Sequence, residues 1–224
     1  MVDKRTHAAA PVIETASDFQ ATFNVSRETL DRLICYEALL QRWQKAVNLV
    51  SPKTLGSVWM RHFADSAQLL RLAPGRKTWL DIGSGAGFPG LIIAILATEQ
   101  PGVTVQLMES DTRKCAFLRD VARQTSTPVE IHNGRVESAA SQLKVGKVDV
   151  VTARALAPLG KLLGLAAPYL DTDTLGLFPK GRDAVQEVET AAQVWRFRCE
   201  LVESLSDHDG RIAVITDFAG KLEG

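Results

Sequence analysis

An α/β fold built on a mostly parallel, seven-stranded sheet is predicted for residues 74–224, with helices ahead of it. Three observations predict it. From Lys77 onward, short apolar β-type runs alternate with helical stretches. Two β-type runs at the end are separated only by Ser206–Gly210, too short for a parallel crossover, so they close as an antiparallel hairpin. The 224-residue length and 46% hydrophobic content support one sizeable core.

The elements follow in order. Residues 1–24 are small and polar without sustained periodicity and are expected to form a loosely ordered tail. Residues 25–73 form a helical extension. Ser26 is placed to cap a helix whose first turn carries Glu28. Leu30, Leu33, Tyr36, Leu40, Trp43 and Val47 then recur at three- and four-residue intervals and mark one apolar face. Pro52 interrupts that pattern, and a second helix is expected from about Ser57 to Leu70, before Pro74-Gly75. Strands are expected at Thr78–Ile82, Thr104–Met108, Val129–Asn133, Val148–Ala153 and Leu175–Pro179. Helices lie between them at Phe88–Thr98, Thr112–Gln124, Pro158–Tyr169 and Asp183–Trp195. The hairpin takes Arg198–Leu205 and Arg211–Asp217. Five strands alternating with helices and closed by a terminal hairpin is the layout of the Rossmann-like, class I S-adenosylmethionine-dependent methyltransferase fold.

Composition narrows the function classes. With 26 basic and 26 acidic side chains the net charge is zero, so binding to nucleic acid must rest on a local basic patch and not on bulk charge. Cys35, Cys115 and Cys199 lack paired spacing, which argues against a zinc site or a disulfide framework. No apolar run is long enough to span a bilayer, and Asp3-Lys4-Arg5 is not followed by the apolar segment of a secretory signal. A cytoplasmic protein is expected, with no metal, no membrane or DNA partner, and a monomeric state.

The chemistry gathers at Asp81-Ile82-Gly83-Ser84-Gly85-Ala86-Gly87, between a strand and a helix opening at Phe88. Glycines there allow positive φ and close approach of a ligand, and ligands of such sheets bind beyond the carboxyl ends of the strands. An anionic side chain beside a dinucleotide's pyrophosphate would repel it. Asp81, two residues ahead of Gly83, suits the cationic amino and sulfonium groups of S-adenosylmethionine better than NAD, with mere capping of the turn as the alternative. Glu109, about twenty residues on, is placed to accept both ribose hydroxyls in either cofactor class. The loop by itself also permits a small-molecule or protein methyltransferase, a nicotinamide dehydrogenase, or a non-enzymatic nucleotide-binding regulator.

Several blocks occur in a fixed order: Asn48-Leu49-Val50, Arg61-His62-Phe63-Ala64-Asp65-Ser66, the glycine loop continued by Phe88-Pro89-Gly90, Glu109-Ser110 with Lys114 and Phe117-Leu118, Ala153-Arg154-Ala155, and Lys180-Gly181. Together they resemble the RsmG (GidB) family of bacterial small-subunit ribosomal RNA guanine-N7 methyltransferases. The resemblance implies methylation of N7 of guanine 527 in 16S rRNA, with S-adenosylmethionine as donor and 16S rRNA or the small ribosomal subunit as partner. Among family binding positions it carries over Gly83, Phe88, Val136, Glu137 and Arg154. Val136 stands where the family more usually has Ala. The donor set expected in all is Asp81, Gly83, Gly85, Gly87, Phe88, Glu109, Val136, Glu137 and Arg154. Arg154 could instead meet RNA, with Lys180 and Arg182 as phosphate contacts. Guanine N7 carries a lone pair and no proton, so no catalytic base is expected. His62 and Asp65 share a helix face and are expected to fix the N-terminal helices against the donor pocket.

Overall fold

The structure is a computed structural model that describes residues 11–138 and 145–222. Within the segment expected to be a loose tail, Ala16–Phe23 forms a helix, α1. Its eight residues are too few to show periodicity, but Thr15 and Asp18 form a reciprocal capping box and Phe19 is fully buried with Ile13. Helix α2 (Arg27–Gln44) starts at the expected cap, Ser26, whose hydroxyl accepts the Thr29 N–H. The second expected helix divides. A 3₁₀ turn over Pro52–Ser57 passes into a π-helical stretch, Trp59–Ala64, before α3 (Asp65–Leu72).

The strands are β1 (Thr78–Ile82), β2 (Thr104–Glu109), β3 (Glu130–Asn133), β4 (Val150–Thr152), β5 (Leu175–Lys180), β6 (Arg198–Glu203) and β7 (Arg211–Thr216). The helices among them are α4 (Gly90–Ala97), α5 (Thr112–Gln124), α6 (Leu159–Ala166) and α7 (Ala184–Ala192). One seven-stranded sheet runs β3-β2-β1-β4-β5-β7-β6. The first five strands are parallel; β7 pairs antiparallel with both β5 and β6. The order reverses between β1 and β4, the switch point at which such sheets open a ligand crevice. Among the described residues no helix is long and apolar enough to cross a membrane.

Successive side chains of a buried strand point to opposite faces. Trp79 packs into one core with Ile13, Phe19, Tyr36, Ile92 and Phe117, while Leu80 and Ile82 pack into the other with Leu163 and Phe178. Thus the N-terminal helices and the sheet share one core. Helix α4, Gly-Leu-Ile-Ile-Ala-Ile-Leu-Ala, is buried at every position because it is enclosed by the sheet, α2 and α3. It begins at Gly90, two residues later than the sequence pattern suggests, since a residue ahead of proline is disfavoured in helical geometry and Phe88 precedes Pro89. Asp81 shares the Trp79 face and lies under the start of α4. The chain tolerates that approach because Gly90 has no Cβ; one built there would lie 2.6 Å from the Asp81 Cβ.

Candidate functional site

A cleft of roughly 1150 Å³ opens over the carboxyl ends of β1, β2, β4 and β5. The glycine turn forms one wall. Gly83 and Ser84 donate their N–H groups to the Met108 carbonyl at 2.8 and 3.0 Å, which ties the turn to the end of β2. Glu109 closes the loop from the far side: Oε2 accepts the Gly85 N–H and Oε1 the Asp111 N–H, both at 2.8 Å. A carboxylate has about four acceptor sites, so these two bonds leave acceptor capacity on a side chain that lines the cleft. A Cβ on Gly85 would meet only the Gly83 carbonyl, at 3.8 Å, so the backbone of the turn stands open to the cleft.

The opposite wall comes from the N-terminal helices and the β4–α6 loop. Arg154 Nη2 donates to His62 Nδ1 at 2.8 Å. Arginine only donates, so the His62 proton sits on Nε2 and is given to Thr54 Oγ1, 2.9 Å away. The His62 ring stacks on Phe88, with centroids 4.8 Å apart and planes 12° from parallel, and the Arg154 guanidinium lies 4.9 Å over the same Phe88 ring. Burial, then the Arg154 and Arg61 charges, push the His62 pKa down to about 3, so the ring is neutral near pH 7. Burial likewise lowers that of Arg154, opposed by Asp65 at 3.4 Å. Asp65 Oδ1 collects the hydroxyls of Ser204 and Ser206 at 3.1 and 2.9 Å and the Gln68 amide at 2.9 Å, and Arg61 pairs with Asp207 at 3.0 Å. Through these contacts the β6–β7 turn clasps the N-terminal helices at Asp65 and Arg61, while His62 ties the same helices to Arg154 and Phe88 in the cleft wall. Tyr36 extends it beneath the loop by donating its hydroxyl to the buried Ala86 carbonyl.

The structure gathers most of the residues singled out from sequence. Gly83, Gly85, Phe88, Glu109, Val136, Glu137, Arg154 and Lys180 all line the cleft. Asp81, Gly87 and Arg182 are not among the lining residues. The Asp81 carboxylate is 1% exposed and is used behind the turn, accepting from Thr152 Oγ1 at 2.8 Å and from the Gly90 N–H at 3.3 Å. Burial raises its pKa to about 6. Of its two sequence readings, bracing of the turn is the one this geometry expresses. Gly87 packs against Tyr36 and Leu91. Arg182 is exposed beyond the end of β5. Lys180 is held in the wall, 2.9 Å from Glu187 Oε2 and donating to the Ala157 carbonyl at 2.8 Å. Sequence reasoning missed Tyr36 as a loop support, Glu187 as the partner of Lys180, and the place of the β6–β7 turn, itself expected, in the cleft wall. Of these only Glu187 left a trace, an acid seven residues after a strand-end lysine.

The family described as "GidB: rRNA small subunit methyltransferase G" matches residues 29–211. The chain is 48% identical over 214 residues to Ribosomal RNA small subunit methyltransferase G of Parvibaculum lavamentivorans, covering 95% of this chain and 94% of that protein. It is 51% identical to the protein of the same name from Rhodospirillum centenum, covering 91% of each. Among solved structures it resembles a precorrin-6y C5,15-methyltransferase from Geobacter metallireducens, with a TM-score of 0.50, 15% identity, and 77% of this chain and 92% of that one covered. It also resembles a mutant of MtNAS in complex with S-adenosylmethionine, with a TM-score of 0.54, 15% identity, and 91% of this chain and 84% of that one covered. At these identities the two structures share the fold.

Proposed function

Because the chain belongs to the GidB family of ribosomal RNA small subunit methyltransferases, we propose that it transfers a methyl group from S-adenosylmethionine to N7 of a guanine, position 527, in 16S rRNA. The observation that carries the donor reading is the Glu109 carboxylate at the tip of β2, facing the cleft and bonded to the glycine turn. The substrate base rests on the resemblance to the family.

The residues fit such a donor. S-adenosylmethionine supplies, when bound, a methyl carbon activated by a sulfonium. Glu109 accepts the ribose hydroxyls with the acceptor sites its two backbone bonds leave free. The turn at Gly83 and Gly85 offers backbone at close range, and Val136 and Glu137 flank the adenine end. Arg154, fixed by His62, Asp65 and Phe88, presents its guanidinium from the opposite wall. N7 of guanine already exposes a lone pair, so the chain has to hold the base and exclude alternatives, not remove a proton. The neutral His62, with both ring nitrogens engaged, serves that positioning task. Placing two reactants in attack geometry is worth about 7–11 kcal/mol of barrier. Calorimetric titration tests the donor: saturable S-adenosylmethionine binding with none for NAD is expected, and the reverse would remove the reading.

A further inference from the structure

The cleft has two halves. The half over β1 and β2 holds the glycine turn and Glu109. The half over β4 and β5 is lined by Leu156, Ala157, Pro158, Pro179, Lys180 and Glu187. In it Lys180 and Glu187 form a pair set into the wall. The Lys180 side chain is 7% exposed and that of Glu187 25%, and both line the cleft. Each is held at a second point: Lys180 donates to the Ala157 carbonyl, and Glu187 Oε2 accepts the Leu159 N–H at 2.6 Å at the start of α6. Glu187 Oε1 makes no hydrogen bond among the described residues, and one of the three Lys180 N–H groups is likewise uncommitted. Capping α6 and pairing with Lys180 use one carboxylate oxygen; the second is left to the cleft.

We propose that Lys180 and Glu187 read the base to be methylated, with the ammonium donating to O6 of guanine and Glu187 Oε1 accepting from its N1–H and N2 amino group. The inference rests on the proposed transfer to guanine N7 and deepens it. Guanine presents an acceptor beside two donors on that edge, the complement of an ammonium beside a carboxylate. Adenine, which also has an N7, presents a donor amino group to the ammonium and a lone pair to the carboxylate. A wall whose polar groups are mostly buried penalises that mismatch, because groups left unpaired have no water to turn to. Fixing the pair at Ala157 and Leu159 sets this preference before the base arrives. Lys180 ends β5 and Glu187 lies on α7, both on the far side of the switch point from Glu109, so donor and base occupy separate halves of one cleft.

The test uses small-subunit particles reconstituted with ligated 16S rRNA that carries either guanosine or inosine at the methylated position. Inosine keeps N7, O6 and N1–H and lacks only the N2 amino group. Wild-type kcat/KM should fall at least about tenfold on inosine, the scale of one lost hydrogen bond to a charged group. Glu187→Gln keeps the Leu159 cap but turns an acceptor into a donor. It should lose roughly 10- to 100-fold on guanosine, become nearly indifferent between guanosine and inosine, and bind S-adenosylmethionine as the wild type does. Equal wild-type rates on the two nucleotides would overturn the pair as the reader, and that comparison needs no variant. A Glu187→Gln enzyme that keeps the full preference for guanosine would overturn it as well. Failure of the wild type to methylate guanosine at all would defeat the proposed function itself, a result distinct from equal rates.

Discussion

Replacing Glu109 with alanine removes the one carboxylate among the described residues that both lines the cleft and holds the glycine turn. Its side chain is buried to 7% exposure and already accepts two backbone N–H groups, from Gly85 and Asp111. Two ribose hydroxyls would fill its remaining acceptor sites. Hydrogen bonds to charged groups contribute about 1.5–3 kcal/mol each, so losing two removes about 3 kcal/mol at the low end, a rise in Kd on the order of 100-fold. Water entering the space left by the side chain offsets part of this, so at least about a tenfold weakening is expected. The freed Gly85 and Asp111 N–H groups cost stability too, about 1–3 kcal/mol if they stay dry, a loss seen as a lower Tm. Titration calorimetry with S-adenosylmethionine measures the first effect. A 2′-deoxy analogue of the donor separates ribose recognition from loop collapse: the wild type should lose affinity for it and Glu109→Ala should not. Unchanged donor affinity in Glu109→Ala would refute the reasoning and remove Glu109 from the pocket.

Three further outcomes are expected. Gly87→Ala should lower thermal stability sharply and weaken donor binding, since φ is +91° and the new Cβ would lie 2.6 Å from the Tyr36 hydroxyl and 2.9 Å from the Leu91 Cβ; a variant with wild-type Tm would show that the loop is not packed as described. His62 is held neutral with its pKa down at about 3 against an ordinary 6.5, so the stability it contributes is present above pH 6.5 and lost as pH falls towards 3. Asp81, raised to about 6 from 3.8, acts oppositely, favouring the fold below pH 4 and losing that contribution as pH rises through 6. The two effects oppose and nearly cancel between about pH 6 and 4, leaving a net fall from 6.5 to 6 and again from 4 towards 3; His62→Gln should remove the His62 part and so gain stability relative to the wild type as pH falls from 6.5 to 4 in urea titrations, and a variant whose pH profile parallels the wild type would count against His62. Arg135 and Arg182 are exposed, Arg135 on the cleft rim and Arg182 beyond the end of β5. Arg135→Ala and Arg182→Ala should each weaken RNA binding and reduce the slope of log K against log salt by about 0.7–1; an unchanged slope would remove that residue from the phosphate contacts.

The strand–helix rhythm was legible because buried parallel strands and amphipathic helices write their periods into the chain. The helix at Thr112–Gln124 and the strand at Thr78–Ile82 coincide with their expected bounds. The short α1 was not legible, because its signal is a single capping box and one buried Phe19. The π-helical stretch at Trp59–Ala64 left no distinct pattern, since three- and four-residue spacing looks alike in either helix type. For the site, glycine spacing and the strand-end position of Glu109 placed residues that do line the cleft. Asp81 was ambiguous in sequence for a physical reason. A carboxylate two residues before a turn can face a ligand or bind the turn from behind, and only the approach of Gly90 and Thr152 decides between these. The contacts Arg154–His62 and Asp65–Ser206 join distant segments, and nothing in local spacing announces them; Lys180–Glu187 left only a seven-residue spacing across a loop.

The central claim is that this cleft delivers a methyl group to ribosomal guanine. Unmethylated small-subunit particles and naked 16S rRNA, each incubated with the protein and labelled S-adenosylmethionine and then mapped nucleotide by nucleotide, test it most directly. The account predicts a single labelled N7-methylguanosine at position 527 in at least one of the two substrates. Label on neither, or label on an atom other than guanine N7, would contradict it.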